Sequence, residues 1–301
     1  MTGLTPDQAF EAYEAVRHRL PSAAKRGACK KVQTLADLAE DFDVFLLDAF
    51  GVLNIGETAI PGVAERIADL RASGKAVLVV SNAAGFPHAT LLERYARLGY
   101  SFEPGDVITS RGALLSAIQR EPDMRWGLMA TRSAGLRDLE ALTLTYLEED
   151  PAPYDTVDGF LLVGSAAWTE ARQALLEDAL RARPRPVLVG NPDIVAPRED
   201  GFSIEPGHYA HRLADRTGVV PRFYGKPFTD IFDLAFARVG PQVPRERIVM
   251  VGDSLHTDIL GAQAAGIASA LVAGYGFFAG HDATEAITRA GIYPDFILER
   301  P

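Results

Sequence analysis

Short apolar segments that each end on polar residues recur along the chain and strongly constrain its fold. Residues 44–53 read VFLLDAFGVL, in which four apolar or aromatic residues precede Asp48. Residues 76–82 (AVLVVSN) and 247–253 (RIVMVGD) have the same character, and helical patterns such as that over residues 63–70 separate the segments. Strands that alternate with helices predict a doubly wound, parallel α/β sheet. In such sheets the chemistry lies at the carboxyl edge, where these polar residues would be placed.

Several polar side chains are therefore expected to meet at one edge of the sheet. Each of them follows an apolar segment, and their order along the chain is part of the signal. They are Asp48, Ser81 with Asn82, Lys226 in RFYGKP, and Asp253 with Asp258 in GDSLHTD.

This set of residue types matches the needs of phosphoryl transfer. An ionised Asp48 can attack phosphorus and form an aspartyl-phosphate, which divides one slow hydrolysis into two easier steps. Because Mg²⁺ prefers oxygen ligands, Asp48 and Asp253 could hold it next to the substrate phosphate. Ser81 and the backbone amides around Asn82 could bind the remaining phosphate oxygens, while Lys226 neutralises charge. Positioning and electrostatics would then supply most of the catalysis.

The ordered motifs resemble those of the haloacid dehalogenase superfamily of hydrolases, and in particular its class IIA branch of small-molecule phosphatases. The resemblance spans roughly residues 40–301. The segments that carry it are GVLNIGETAIPGVAERIADLRASGKAVLVVSN, NPD at 191–193, GKP at 225–227 and GDSLHTDILGAQAAGI. It implies a Rossmann-like core with an inserted α/β cap domain, Mg²⁺ as the cofactor and Asp48 as the nucleophile.

The resemblance also implies roles for individual residues. Asp193 of the NPD turn is expected to face the active site from the cap and to bind substrate. Phe50 would ligate Mg²⁺ through its backbone carbonyl, beside Asp48 and Asp253. Asp258 would orient the loop or a metal-bound water.

Position 50 departs from the pattern of the family's phosphatases. They carry a second aspartate two residues after the nucleophile, which protonates the leaving group and later activates water. The phenyl ring of Phe50 cannot transfer a proton. One interpretation is a phosphatase that acts on good leaving groups or takes its proton from another side chain. The candidates for such a donor are His256, His88, His208 and Tyr209.

Two other interpretations follow from Phe50. The chain could bind a phosphorylated metabolite with little or no turnover. It could also be a metal-free dehalogenase, since dehalogenases of the superfamily carry an aromatic residue at this place, although Asp253 and Asp258 would then have no cation to hold. We expect a Mg²⁺-dependent phosphohydrolase that acts on a small phosphate monoester through an intermediate at Asp48.

The long segment between Ser81 and Lys226 predicts a second unit. It exceeds what one crossover needs and contains its own strand-like runs, RWGLMA, GFLLVG and RPVLVGN. A cap that closes on the core would exclude water and present specificity residues to the substrate. The predicted division is an N-terminal helical extension at 1–40, a core at 41–121 and 219–301, and the inserted cap at 122–218.

Composition limits the partners and the location. The chain has 301 residues, of which 48% are hydrophobic and 23% charged, enough for a full core and a further domain. A net charge of −10 disfavours nucleic acid and anionic membranes, so the expected partner is a small phosphorylated metabolite. Without a membrane-length apolar run or a signal-peptide core, and with the single Cys29, we expect a cytoplasmic protein. Dimers formed through the cap occur among relatives, so the resemblance also allows a homodimer.

Overall fold

The structure is a computed structural model that describes residues 5–23, 26–119, 123–198 and 201–301. Its strands are, in chain order, β1 (Lys30–Val32), β2 (Val44–Leu47), β3 (Asn54–Ile55), β4 (Thr58–Ala59), β5 (Ala76–Ser81), β6 (Val107–Thr109), β7 (Arg125–Met129), β8 (Thr143–Tyr146), β9 (Gly159–Leu162), β10 (Val187–Val189), β11 (Val195–Arg198), β12 (Gly201–Ile204), β13 (Arg222–Phe223), β14 (Ile248–Gly252), β15 (Ala268–Val272) and β16 (Phe296–Leu298). Its α-helices are α1 (Pro6–Ala15), α2 (Val63–Ala72), α3 (His88–Arg97), α4 (Ser110–Ile118), α5 (Ala152–Thr156), α6 (Glu170–Ala182), α7 (Pro206–Thr217), α8 (Asp230–Val239), α9 (Leu260–Ala265) and α10 (Ala283–Ala290).

A seven-stranded sheet forms the centre of the fold, in the order β1-β16-β15-β14-β2-β5-β6. Every neighbouring pair in it is parallel. The expectation of a parallel, doubly wound α/β sheet is thus confirmed. The strands that precede Asp48, Asn82 and Asp253 are the adjacent β2, β5 and β14, so their carboxyl ends meet at one edge.

Apolar layers cover both faces of this sheet. Phe45 and Leu47 of β2 face one layer, which includes side chains of α2 and α3. Val44 and Leu46 face the other layer, with side chains of α4 and α8. Successive residues of a strand point to opposite faces, and a strand covered on both sides must be apolar throughout. This explains why VFLL is an unbroken apolar run.

The N-terminal segment contributes more than the predicted helix. Helix α1 forms, with a capping box at Thr5, and packs against the loop after β14 and against Phe277. Strand β1 was not apparent from the sequence, because KKV carries one apolar residue and lies at the sheet edge, where it pairs with β16.

A second, five-stranded parallel sheet has the order β13-β10-β9-β7-β8. Three of its strands, β7, β9 and β10, are the predicted runs RWGLMA, GFLLVG and RPVLVGN. Strand β13 differs from expectation: it lies within the range 219–301 that was predicted for the core, but Arg222–Phe223 pairs with Leu188–Val189 of the second sheet. The predicted cap boundary at 121/122 lies outside the described residues, and the division into core and cap stays a prediction. In the described ranges, none of the helices has the length and apolar character needed to cross a membrane.

We predict that Leu46→Ala destabilises the chain strongly. Leu46 is fully buried in the central strand, and such a truncation leaves a cavity that costs about 2–5 kcal/mol. Val220, which is 84% exposed, provides the control, because Val220→Ala should change the free energy of unfolding by about 0.5 kcal/mol or less. Urea unfolding measures both; equal effects would contradict the described packing of β2.

Candidate active site

A cavity of about 500 Å³ lies between the carboxyl edges of the two sheets. On one side its lining residues follow β2, β5 and β14, and on the other they follow β7, β9 and β10. Seven of the eight predicted site residues line it, and the eighth, Asp258, is not among the lining residues. The seven are Asp48, Phe50, Ser81, Asn82, Asp193, Lys226 and Asp253.

Three carboxylates converge here: Asp48 and Asp253 line the cavity, and Asp258 is fully buried beside them. Oxygen atoms of Asp48, Asp253 and Asp258 all lie within 4.8 Å of one another. Asp48 is placed by β2, and its amide donates to the carbonyl of Val251 in the next strand at 2.9 Å. Asp258 lies in a π-helical turn, Leu255–Ile259, which leads from β14 into α9.

Two glycines, Gly51 and Gly276, make room for the side chain of Asp253 because they have no Cβ. A Cβ on Gly276 would lie 1.9 Å from Oδ2 of Asp253, and a Cβ on Gly51 would lie 2.5 Å from the same atom. Both glycines have positive φ, of 69° and 71°, which other residues rarely adopt. The amide of Phe277 donates to Oδ2 of Asp253 at 2.7 Å and so orients this carboxylate.

Lys226 provides the positive charge within the cluster. Its Nζ lies 2.6 Å from Oδ1 of Asp48 and 2.7 Å from Oδ1 of Asp258, and its side chain is 1% exposed. Burial alone would lower the pKa of Lys226, but the carboxylates of Asp258 and Asp48 raise it above its ordinary value.

Burial and neighbouring negative charge raise the pKa of two of the carboxyl groups. Burial, followed by the charges of Asp258 and Asp48, raises the pKa of Asp253 well above its usual range. Burial also raises the pKa of Asp258 to about 6, although Lys226 opposes the shift. Three carboxylates beside a single lysine form a donor set that suits a hard divalent cation with oxygen ligands. Asp48, Asp253 and Asp258 therefore fit the expected Mg²⁺.

Asn82 connects the phosphate-binding candidates. Its Nδ2 donates to Oδ1 of Asp193 at 2.7 Å and to the carbonyl of Lys226 at 2.9 Å. Its Oδ1 accepts from the amide of Lys226 at 2.8 Å. Ser81 is buried beside it, and its Oγ accepts from the amide of Ala83 at 3.3 Å. One amide side chain thus fixes the positions of Lys226 and Asp193 relative to β5.

The ring of Phe50 lies near two arginines. The guanidinium of Arg94, on α3, is 5.6 Å from the ring centroid, and that of Arg198, on β11, is 5.2 Å away. Both are cation–π distances. Arg94 also pairs with Glu57 at 3.0 Å, and Arg198 with Glu205 at 3.1 Å. The ring of Phe50 therefore lies close to two guanidinium groups.

The alternative proton donors from the sequence lie elsewhere. His256 contacts Oε1 of Glu14 at 2.6 Å and stacks on Tyr13, with ring centroids 5.1 Å apart. His88 contacts the carbonyl of Val107 at 3.0 Å, while His208 packs edge-on against Tyr209. Among the described residues that line the cavity there is no histidine, nor is Tyr209 one of them.

Sequence reasoning missed Tyr13 of the N-terminal helix. Its hydroxyl accepts from the amide of Ile194 at 3.2 Å, next to Asp193, and its ring lines the cavity. Arg94 and Arg198 were missed as well. The sequence contains no signal for these three residues, because each reaches the cavity only through tertiary packing.

Comparison with known proteins identifies the family that the chain matches. A family model described as haloacid dehalogenase-like hydrolase matches residues 45–140, and a HAD-hydrolase-like model matches residues 223–300; together they cover more than half of the chain. Human glycerol-3-phosphate phosphatase is 27% identical over 289 residues, which cover 87% of this chain and 89% of the relative.

Solved structures of related proteins have a similar fold. A possible sugar phosphatase of the HAD superfamily from Cytophaga hutchinsonii has a TM-score of 0.80 at 26% identity, covering 90% of this chain and 98% of that one. Glycerol phosphate phosphatase from Mycobacterium tuberculosis, solved in complex with magnesium, has a TM-score of 0.69 at 25% identity, covering 86% of this chain and 75% of that one.

We predict that MgCl₂ raises the thermal unfolding midpoint of the chain, and that Asp253→Asn largely removes this effect. A ligand at a hundredfold excess over its Kd stabilises the folded state by about 2.7 kcal/mol. Differential scanning fluorimetry measures the shift. Asp282→Asn is the matched control, because Asp282 caps α10 by accepting from the Thr284 amide and asparagine caps equally well. An undiminished shift in Asp253→Asn would argue against this cation site.

Proposed function

The chain belongs to the haloacid dehalogenase superfamily of hydrolases, and on that premise we propose that it is a Mg²⁺-dependent phosphatase of small phosphate monoesters. The observation that carries the proposal is the convergence of three carboxylates and Lys226 at the cavity. Such a cluster serves to hold a cation and a phosphoryl group.

Asp48 is the proposed nucleophile. It lies at the end of β2 and points into the cavity, and Lys226 holds one of its oxygens at 2.6 Å. An ionised oxygen of Asp48 attacks phosphorus, and the leaving oxygen departs on the opposite side. Water then hydrolyses the aspartyl-phosphate and restores the carboxylate.

The cation would be held by Asp48, Asp253 and the backbone carbonyl of Phe50, with Asp258 orienting Lys226 and the loop at Ser254. When bound, Mg²⁺ supplies positive charge that offsets repulsion between the Asp48 carboxylate and the substrate phosphate. The Ser254 amide donates to Oδ2 of Asp258 at 3.1 Å, while Oδ1 of Asp258 contacts Lys226. Asp258 is therefore well placed to hold the loop at Ser254 next to Lys226.

Ser81, Asn82 and Lys226 are the proposed phosphate-binding residues. The hydroxyl of Ser81 can donate to a phosphate oxygen while it accepts from Ala83. Asn82 fixes Lys226 through two hydrogen bonds to its backbone. Lys226 would neutralise charge on both the nucleophile and the phosphoryl group.

The substrate is proposed to be a small phosphorylated metabolite. The cavity of about 500 Å³ admits a ligand of that size. Relatives are named for glycerol 3-phosphate, and residues 122–218 are the proposed cap that encloses the substrate. A homodimer stays a prediction.

A protein that only binds a phosphorylated metabolite is the second candidate, favoured by Phe50. The acidic cluster weighs against a metal-free dehalogenase, because that reaction has no use for Asp253 and Asp258 beside Asp48. A measurement of turnover distinguishes a phosphatase from a protein that only binds the phosphorylated metabolite.

We predict that the chain releases phosphate from 4-nitrophenyl phosphate with MgCl₂, and that Asp48→Asn lowers the rate about 10³-fold or more, since the amide is no nucleophile. EDTA should abolish the activity and excess MgCl₂ restore it. Asp282→Asn should retain full activity. Tight phosphate-ester binding without turnover would favour the binding protein, and halide release without metal the dehalogenase.

We predict that Phe50→Asp raises the turnover of poor leaving groups little, far below the about 10²–10⁴-fold that a positioned acid contributes. The guanidiniums of Arg94 and Arg198 flank position 50 and would keep a new carboxyl group ionised, so that it has no proton to donate. Phosphate release from phenyl phosphate measures this, with Phe50→Asn as the uncharged control. A gain of that full size would show that the missing acid at position 50 alone limits the reaction.

A further inference from the structure

Hydrolysis of a phosphate monoester leaves an oxygen that needs a proton, and position 50 cannot supply it. Carboxyl groups of five described residues line the cavity. Asp48 and Asp253 have roles at the cation, and Glu57 and Glu205 pair with Arg94 and Arg198. The fifth carboxyl group belongs to Asp193, which forms no ion pair within 4 Å in the part of the chain that the structure describes.

Asp193 is held rigidly towards the cavity. Its Oδ1 accepts from Nδ2 of Asn82 at 2.7 Å, and its amide donates to Oδ1 of Asn191 at 2.9 Å. Its carbonyl accepts from the amide of Gly207 at 2.9 Å. Tyr13 fixes the following residue, Ile194. A group whose rotamer and backbone are both constrained can be aimed at a reacting atom.

The position of Asp193 relative to Asp48 also suits protonation of the leaving oxygen. In phosphoryl transfer the attacking and leaving oxygens lie roughly in line, so the leaving oxygen departs away from Asp48. Asp48 follows β2 of the main sheet, whereas Asp193 follows β10 of the second sheet and its side chain reaches Asn82 at the end of β5. We infer that a leaving oxygen that departs from the side opposite Asp48 comes within reach of Asp193, which enters the cavity from the second sheet.

We propose that Asp193 is the general acid and base that replaces the missing carboxyl group at position 50. This inference rests on the proposed phosphatase function. As Asp48 forms its bond to phosphorus, the bond from phosphorus to the leaving oxygen breaks, and that oxygen takes its electron pair and the proton of Asp193. The Asp193 carboxylate then accepts a proton from water as the water oxygen attacks phosphorus. The bond to Asp48 breaks, which releases phosphate and restores both groups.

The electrostatic surroundings of Asp193 favour the protonated form that a proton donor requires. Burial raises the pKa of Asp193 to about 8; the hydrogen bond from Asn82 and the charge of Lys226 oppose the shift, while Asp48 and Glu205 add to it. An acid is most effective when its pKa lies near the working pH. Because the protonated form is active, turnover of poor leaving groups should fall as the pH rises through about 8.

The test compares phosphate esters that differ only in the leaving group. The intact chain with MgCl₂ is assayed on 4-nitrophenyl, phenyl and 4-methoxyphenyl phosphate. Asp193→Asn should lower kcat/KM less than about tenfold on the nitrophenyl ester, and about 10²–10⁴-fold on the methoxyphenyl ester. Asparagine keeps the acceptor for Asn82, and Asp193→Glu, which restores an acid, should recover part of the loss.

Glu57→Gln is the matched control, since Glu57 also lines the cavity but is not among the charges that shift the pKa of Asp193, and its loss should not steepen the dependence on the leaving group. An equal loss on all three esters in Asp193→Asn would overturn the inference and leave Asp193 a positioning residue. That result would not affect the proposed function, which fails only if the unaltered chain hydrolyses none of the esters.

Discussion

One buried lysine makes the acidic edge of this sheet stable. Lys226 lies 2.6 Å from Asp48 and 2.7 Å from Asp258, and an uncompensated buried charge in this place would cost several kcal/mol. Asp253 accepts a hydrogen bond from the Phe277 amide but forms no ion pair with any described residue. When all three are ionised, the carboxylates of Asp48, Asp253 and Asp258 carry more negative charge than Lys226 neutralises, and a divalent cation can offset the excess.

The fold places this cluster where two sheets face each other. Parallel strands bring Asp48 and Asp253 to one edge, and Asn82 extends the arrangement to Lys226 and Asp193. The N-terminal helix crosses to the same region, where the Tyr13 hydroxyl accepts from Ile194. The hydrogen bonds of Asn82 and Tyr13 therefore connect the residues that line the cavity from the two sheets.

The sequence predicts the main sheet and the floor of the site because both follow from local patterns. An apolar run that ends on a carboxylate places Asp48 and Asp253 at a sheet edge whatever the tertiary details. Contacts of Arg198 with the Phe50 ring and of Tyr13 with the NPD turn depend on packing between distant segments, which no local pattern encodes. Strand β13 was misassigned for the same reason, since two residues carry too little pattern to choose between two sheets.

The proposed nucleophile is the claim on which the account depends most. Acid quenching of the protein during turnover of an aryl phosphate, followed by peptide mapping by mass spectrometry, detects an acyl phosphate directly. The account predicts a phosphoryl group on Asp48 that is labile to base and absent from Asp48→Asn. Steady turnover with no covalently bound phosphate on Asp48 would contradict it.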